Sequence, residues 1–357
     1  MLKFVGYNKT FQAGLTIIEL LVGMVISLVI ITGVYQVFTT STANYRMQEG
    51  LSRIQENGRF ALDILSFNIR QAGYRGCASH GPLTNTLKNP DEWSYKFDAS
   101  GIEGFNNVGS SVSDLGGIPT VPNSDVIVVR TLIGDSVKIT KNNNSAQLFA
   151  SVTSQEEKAC SDGTDRVSGI CQGDILLVSD CEKSRVFQAG NIQVASGSLN
   201  ITHPASGDPG NAISSWGGAN APASERFGPG AEIMKYSTIV YYIRYNPAGT
   251  PSLYRRVGTD NSEELVEGVE TMQIMYGVDN DNDRNIDEYI TADQVNDWSD
   301  VYSVRIALLM RSPNPIRTTD NNSATKYQVL DEEFGPFNDE NIRRIVTTTV
   351  GLRNRLP

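Results

Sequence analysis

Histidine is nearly absent from this chain. His80 and His203 are the two in 357 residues. Both sit among polar, loop-like neighbours, where each reads as a surface residue rather than a ligand. A Ser-His-Asp or Cys-His site therefore has little material. No C-x-x-C pair occurs, so the usual zinc spacings are missing. No glycine-rich phosphate loop follows a strand and opens a helix. A basic excess is lacking as well. Thirty Lys+Arg stand against 40 Asp+Glu, a net charge of −10, whereas a nucleic-acid-binding body needs a basic face. The many carboxylates leave a carboxylate-pair hydrolase open. On balance the residues point away from an enzyme, and no required cofactor is expected.

Cysteine is scarce but even in number: Cys77, Cys160, Cys171 and Cys181. In an exported chain that count fits two disulfides. Three pairings are open. The expected one is Cys77–Cys181, pinning the end of a helix to a sheet, with Cys160–Cys171 closing a short loop.

One long apolar run breaks the soluble average. The chain starts MLKFVGYNKTFQAG and continues LTIIELLVGMVISLVIITGVYQVF. From Leu15 to Phe38 the run is apolar apart from Thr, Ser, Gln and the single charge of Glu19. As a helix rising about 1.5 Å per residue it is long enough to cross a bilayer core. An ionised carboxylate in such a segment costs on the order of 2.5–3.5 kcal/mol, so Glu19 is a functional candidate. Small Gly14 lets the backbone enter a protease cleft, and Lys3 and Lys9 hold the preceding segment on the cytoplasmic side. Cutting after Gly14 frees an α-amine at Leu15. In a packed array of helices, Glu19 of one subunit can neutralise that amine in its neighbour, and a desolvated pair of this kind selects register. Loss of Lys3 and Lys9 leaves 28 basic residues and a net charge of −12. An ordinary secretory signal would be cut after the apolar run at a small-x-small site, and no convincing A-x-A follows Ile31. A simple anchor would have no use for Glu19.

Helical periodicity continues through 39–72. Leu51, Ile54, Ala61, Leu62, Leu65 and Ile69 recur at three- and four-residue spacings, interrupted by Gly50 and Gly58 and ended by Gly73. The rest reads as β-rich, with strands at Asp125–Leu132, Asp174–Ser179, Ser184–Gln188, Ser237–Tyr245, Ser252–Val257, Leu265–Gly277, Val301–Arg311 and Arg343–Leu352. The strands 237–245 and 252–257 form a hairpin across Asn246–Gly249. The stretches 79–124 and 200–230 read as long, mobile loops. The expected fold class is α+β: a long N-terminal helix, transmembrane and then amphipathic, packed on an antiparallel β-sheet head. The expected divisions are a leader at 1–14, a membrane or filament-core helix at 15–38, an amphipathic helix at 39–76 and a β-rich head at 77–357.

Asp279, Asp281, Asp283, Asp287 and Glu288 crowd into ten residues with Asn280, Asn282 and Asn285. A D-x-D-x-D start suits calcium, and Asn285 could add a carbonyl. Arg284 replaces the turn glycine of an EF-hand, and Ile290 replaces its last glutamate. Calcium is the candidate ion at Asp279, Asp281, Asp283, Asn285 and Asp287. A solvated acidic turn is the alternative.

The leader and helix resemble the type IV prepilin superfamily. Four further segments resemble its PilW-type minor pilins: LSRIQENGRFALDILSFNIRQAGYRGC at 51–77, DILLVSDC at 174–181, VEGVETMQIMYGVDNDNDRNIDEY with WSDVYSVRIALLMRS across 266–312, and VTTTVGLRNRLP at 346–357. The resemblance implies a type IV pilin-like fold and removal of the leader by a prepilin peptidase at Gly14–Leu15. It also implies N-methylation of the Leu15 amine and an assembly role for Glu19. First mature residues of the family are usually Phe; Leu15 departs from that, which puts methylation efficiency in question. The implied location is the bacterial inner membrane with the head in the periplasm, then the pilus tip. The implied partners are other minor pilins, the major pilin, a tip adhesin and the inner-membrane assembly platform, in a complex that primes pilus assembly for twitching motility, adhesion or DNA uptake. Two alternatives remain: a pseudopilin of type II secretion, and a membrane-anchored exported calcium-dependent binding protein or enzyme.

Overall fold

The computed structural model describes residues 14, 16–76, 81–98, 100–316 and 325–355. Lys3, Lys9, Leu15, Cys77 and His80 lie outside them.

A single helix runs from Ile17 to Arg70, 54 residues without a proline. Its N-cap is Thr16. Its last turn closes when the Gln71 N–H donates to Asn68 O and the Ala72 N–H to Ile69 O, and Gly73 at φ 70° turns the chain away. Among the described residues this helix is long and apolar enough to cross a membrane, and none of its most apolar window is buried. Burial begins at Gly50 and recurs at Ile54, Gly58, Ala61, Leu65 and Ile69. Steps of three and four residues keep these on one face. Gly50 and Gly58 interrupt the apolar stripe without breaking the one long helix that the sequence predicts. Both sit close against the head. A Cβ on Gly50 would lie 2.1 Å from Ile316 Cδ1, and one on Gly58 would lie 3.1 Å from Val346 Cγ1.

Among the described residues the head is built on two main sheets, with three two-stranded pairs beside them. Two long antiparallel strands, Ser124–Lys141 and Glu232–Tyr245, form the middle of the larger one. Ile175–Ser179 and Ser184–Gln188 extend it on one side, and Leu83–Asn85 closes that edge in parallel. Gln147–Ser151, Ser198–Thr202 and Ile192–Ala195 extend the other side. Ile102–Val108 pairs with the start of Ser124–Lys141. The expected hairpin is present. Tyr245 faces Pro251 and Tyr242 faces Tyr254, and the Asn246 side chain accepts N–H bonds from Ala248 and Thr250.

The smaller sheet is Glu288–Ile290, Val269–Val278, Val301–Arg311 and Arg343–Gly351 in that order. Its central strand Val301–Arg311 is covered on both faces. Val304, Ile306, Leu308 and Met310 join the helix residues Ile54, Ala61, Leu65 and Ile69 in the main core. Ala307 and Leu309 pack under Tyr327, Val329 and Phe334. The main core also takes Ile127, Val129, Tyr241 and Leu253 from the larger sheet. The head end of the helix is thus buried against both sheets at once.

Two sequence expectations change. Leu265–Gly277 is not one strand. It divides at Gly268 into Glu263–Glu267 of the larger sheet and Val269–Val278 of the smaller. Gly268 adopts φ 83°. Its N–H donates to Pro251 O in one sheet, and its carbonyl accepts from Arg311 N in the other. The stretch 79–124 is also more regular than expected. It contributes Leu83–Asn85 and Ile102–Val108 to the larger sheet. Its glycines and asparagines hid those strands; Asn107, for example, sits at φ 46°.

Candidate functional site

Three described residues mark the start of the helix: Gly14, Thr16 and Glu19. Gly14 is exposed, and a Cβ there would meet nothing within 4 Å, so packing does not require a glycine. Thr16 and Glu19 form a reciprocal capping box. The Thr16 N–H and hydroxyl both donate to Glu19 Oε2 at 3.0 Å, and the Glu19 N–H donates to Thr16 Oγ1 at 3.3 Å. Two orphan donors of the first turn are satisfied in this way. The carboxylate also stands at the positive end of the helix dipole. A carboxylate has about four lone-pair positions, so Glu19 can serve its own helix and still accept from an incoming amine. The T-x-x-E spacing that signals this box was present at Thr16–Glu19 and escaped the sequence reading, which weighed Glu19 for its charge alone.

The other end of the helix is clamped by the C-terminal segment. The Arg353 N–H donates to Arg70 O, and Asn354 Nδ2 donates to Ala72 O at 3.0 Å. Arg355 spreads its guanidinium over the carbonyls of Trp298, Ser299, Val301 and Ser100. The Arg355 side chain therefore works inward, joining the C-terminal segment to the start of Val301–Arg311 and to Ser100, just before Ile102–Val108.

Cys160 and Cys171 are joined by a disulfide. Cys181 is disulfide-bonded as well, and Cys77 lies outside the described residues.

In the acidic loop, one carboxylate oxygen from each of Asp279, Asp281 and Asp283 lies within 4.8 Å of the others. These are hard oxygen donors of the kind calcium takes. The loop also binds its own carboxylates. Asp279 accepts from the N–H groups of Asp281 and Arg284, Asp283 from that of Asn285, and Asp287 from that of Asn280. The Asn285 side chain turns to Asp283. Those bonds already account for the loop's shape, so nothing beyond the donor set itself points to an ion.

His203 is not the surface residue expected. It is fully buried, stacked on Trp216 at 4.2 Å between ring centroids. Its Nδ1 lies 3.1 Å from Ser214 O. Burial pushes its pKa down to about 4, so the ring is neutral and belongs to the core under Ser184–Gln188.

Comparison with known families agrees with this geometry. Residues 9–35 match the prokaryotic N-terminal methylation motif. Residues 240–354 match the model of Type IV Pilus-assembly protein W. No curated protein matches the chain. The motif, the long apolar helix and the sheet head are together similar to one class, the pilin-like proteins of the type IV pilus. Within that class the two matches are consistent with a PilW-type minor pilin, a structural component of the pilus rather than a known kind of enzyme. The second match begins inside Glu232–Tyr245, takes in the whole smaller sheet and ends at Asn354 of the C-terminal clamp.

Proposed function

We propose that this minor pilin is cut by prepilin peptidase between Gly14 and Leu15, methylated on the Leu15 amine and assembled through Glu19. It then joins other minor pilins, beneath a tip adhesin, in a complex that primes the pilus on its inner-membrane platform. The observation that carries this reading is Glu19. It is the lone carboxylate of the exposed apolar stretch 17–38, held at the first turn of the helix and five residues beyond a glycine that packing does not require. The N-terminal methylation motif over 9–35 supports the processing step. The match over 240–354 favours the pilus over the type II secretion apparatus. Two measurements test the proposal. Intact mass of the membrane-extracted protein is expected to lack residues 1–14. Glu19→Ala is expected to lose residues 1–14 as the parent does and to reduce pilus number; full piliation and twitching in this variant would remove the assembly role.

A further inference from the structure

We propose that Arg46, with Tyr45 beside it, grips lipid phosphate at the periplasmic face of the membrane and sets the depth of the helix before assembly. The proposal rests on reading the chain as a membrane-inserted subunit.

The helix carries no charge between Glu19 and Arg46. The 26 residues between them span about 39 Å at 1.5 Å per residue. A bilayer including its headgroups is about 40–45 Å thick. Placing Glu19 at the cytoplasmic edge therefore brings Arg46 to the opposite headgroup layer. Side chains on a helix tilt toward its N-terminus, so the guanidinium reaches back toward the membrane while its stem lies along the helix.

Arg46 also differs from the next two basic residues. Arg53 pairs with Glu49 at 2.9 Å, and Arg59 lies 3.6 Å from Asp63. Among the described residues no carboxylate lies within 4.0 Å of Arg46, which is exposed. A guanidinium fork matches phosphate oxygens. Tyr45, 67% exposed, is the residue type that gathers at membrane interfaces. Between Phe38 and Tyr45 the chain reads Thr-Thr-Ser-Thr-Ala-Asn, polar and uncharged, as a headgroup layer tolerates. Burial against the head begins at Gly50; Arg46 is exposed at the rim of the cleft it lines with Glu49, Arg53, Pro313 and Asn314.

The test uses the full chain reconstituted in phosphatidylglycerol-containing vesicles, with Tyr45→Trp as a depth reporter and lipids brominated near the headgroup as quenchers. Protease protection of the helix first establishes insertion; failure to insert overturns the membrane reading and this proposal with it. Given insertion, Arg46→Glu is expected to lose about half or more of the shallow quenching, because its charge is repelled by the anionic surface. Arg53→Glu is expected to leave the quenching unchanged. Equal quenching in the parent and in Arg46→Glu overturns the proposal while leaving insertion intact.

Discussion

Arg343 and Glu270 form a two-pronged ion pair across the smaller sheet. Arg343 Nε and Nη2 donate to the two carboxylate oxygens of Glu270 at 2.5 and 2.7 Å. The residues stand on the two strands that flank Val301–Arg311, so the pair straddles the central strand at one end. The same guanidinium donates to both oxygens of Asp339 at 2.7 and 2.6 Å and lies 3.7 Å over the Phe337 ring. Its side chain is 2% exposed, and that of Glu270 is 10% exposed. Arg343→Ala would leave Glu270 as a nearly buried charge with only Arg311 near it, at 3.6 Å. Breaking a buried pair from one side costs about 3–5 kcal/mol. Chemical denaturation of the head is expected to show a loss of that size, with Arg343→Lys recovering only part because Lys lacks the fork. A loss under about 1 kcal/mol would place the pair with ordinary surface ion pairs.

The pH dependence of stability should centre on Asp125. Its oxygens accept the N–H groups of Asn107 and Ile274 at 2.8 and 2.7 Å, one from each sheet. Burial nevertheless pushes its pKa up to about 7. The nearby Asp331 and Glu332 push in the same direction. The sign follows from the shift. The unfolded carboxyl ionises near pH 4, whereas the folded one holds its proton to about pH 7. Asp125 therefore makes the head progressively less stable as pH rises from about 4 to 7. Asp125→Asn removes the titration. Its unfolding free energy is expected to fall less than the parent's across that window, and parallel curves would exclude Asp125 as the cause.

Much of this architecture was legible in the sequence, and the gaps have physical causes. The helix, the strands 301–311 and 343–351 and the 246–249 turn follow from periodicity and turn chemistry, which are local signals. The division at Gly268 did not show, because an apolar run on both sides of one glycine reads as continuous. What separates the halves is hydrogen bonding to Pro251 and Arg311, partners 17 and 43 positions away. His203 was misplaced for a related reason. Its neighbours in sequence are polar, but its neighbours in space are Phe187 and Trp216. At the candidate site, residue types alone singled out Gly14 and Glu19, and Thr16 was passed over because its contribution is a hydrogen bond rather than a charge.

Gly268 gives a test of the two-sheet arrangement. A Cβ there would stand 2.8 Å from Arg311 O, a backbone atom, and φ 83° is unfavourable for a residue with a side chain. Gly268→Ala is expected to cost about 1–3 kcal/mol from backbone strain, with the added contact placing it toward the upper end. Thermal unfolding of the variant checks this. Because the glycine joins the two sheets, hydrogen exchange is expected to speed up at both Pro251–Val257 and Val301–Arg311. An unchanged melting temperature would mean that the turn relaxes without strain.

Thr16 allows the helix start to be tested without removing the carboxylate. Its hydroxyl and N–H share one oxygen of Glu19, and that arrangement holds the carboxylate in the rotamer from which, on the proposed function, it would meet a neighbour's amine. Thr16→Val keeps the shape but removes the hydroxyl. The cap should weaken by about 1 kcal/mol, and Glu19 should lose one of its two holds. Thr16→Ser keeps the hydroxyl and serves as the control. Leader removal is expected in both variants, since neither alters Gly14 or Leu15. Pilus number is expected to fall in Thr16→Val, by less than in Glu19→Ala, and to stay near the parent level in Thr16→Ser. Equal assembly in all three threonine-position forms would mean that Glu19 finds its partner unaided. A fall as deep as that of Glu19→Ala would mean that the hydroxyl is as necessary as the charge.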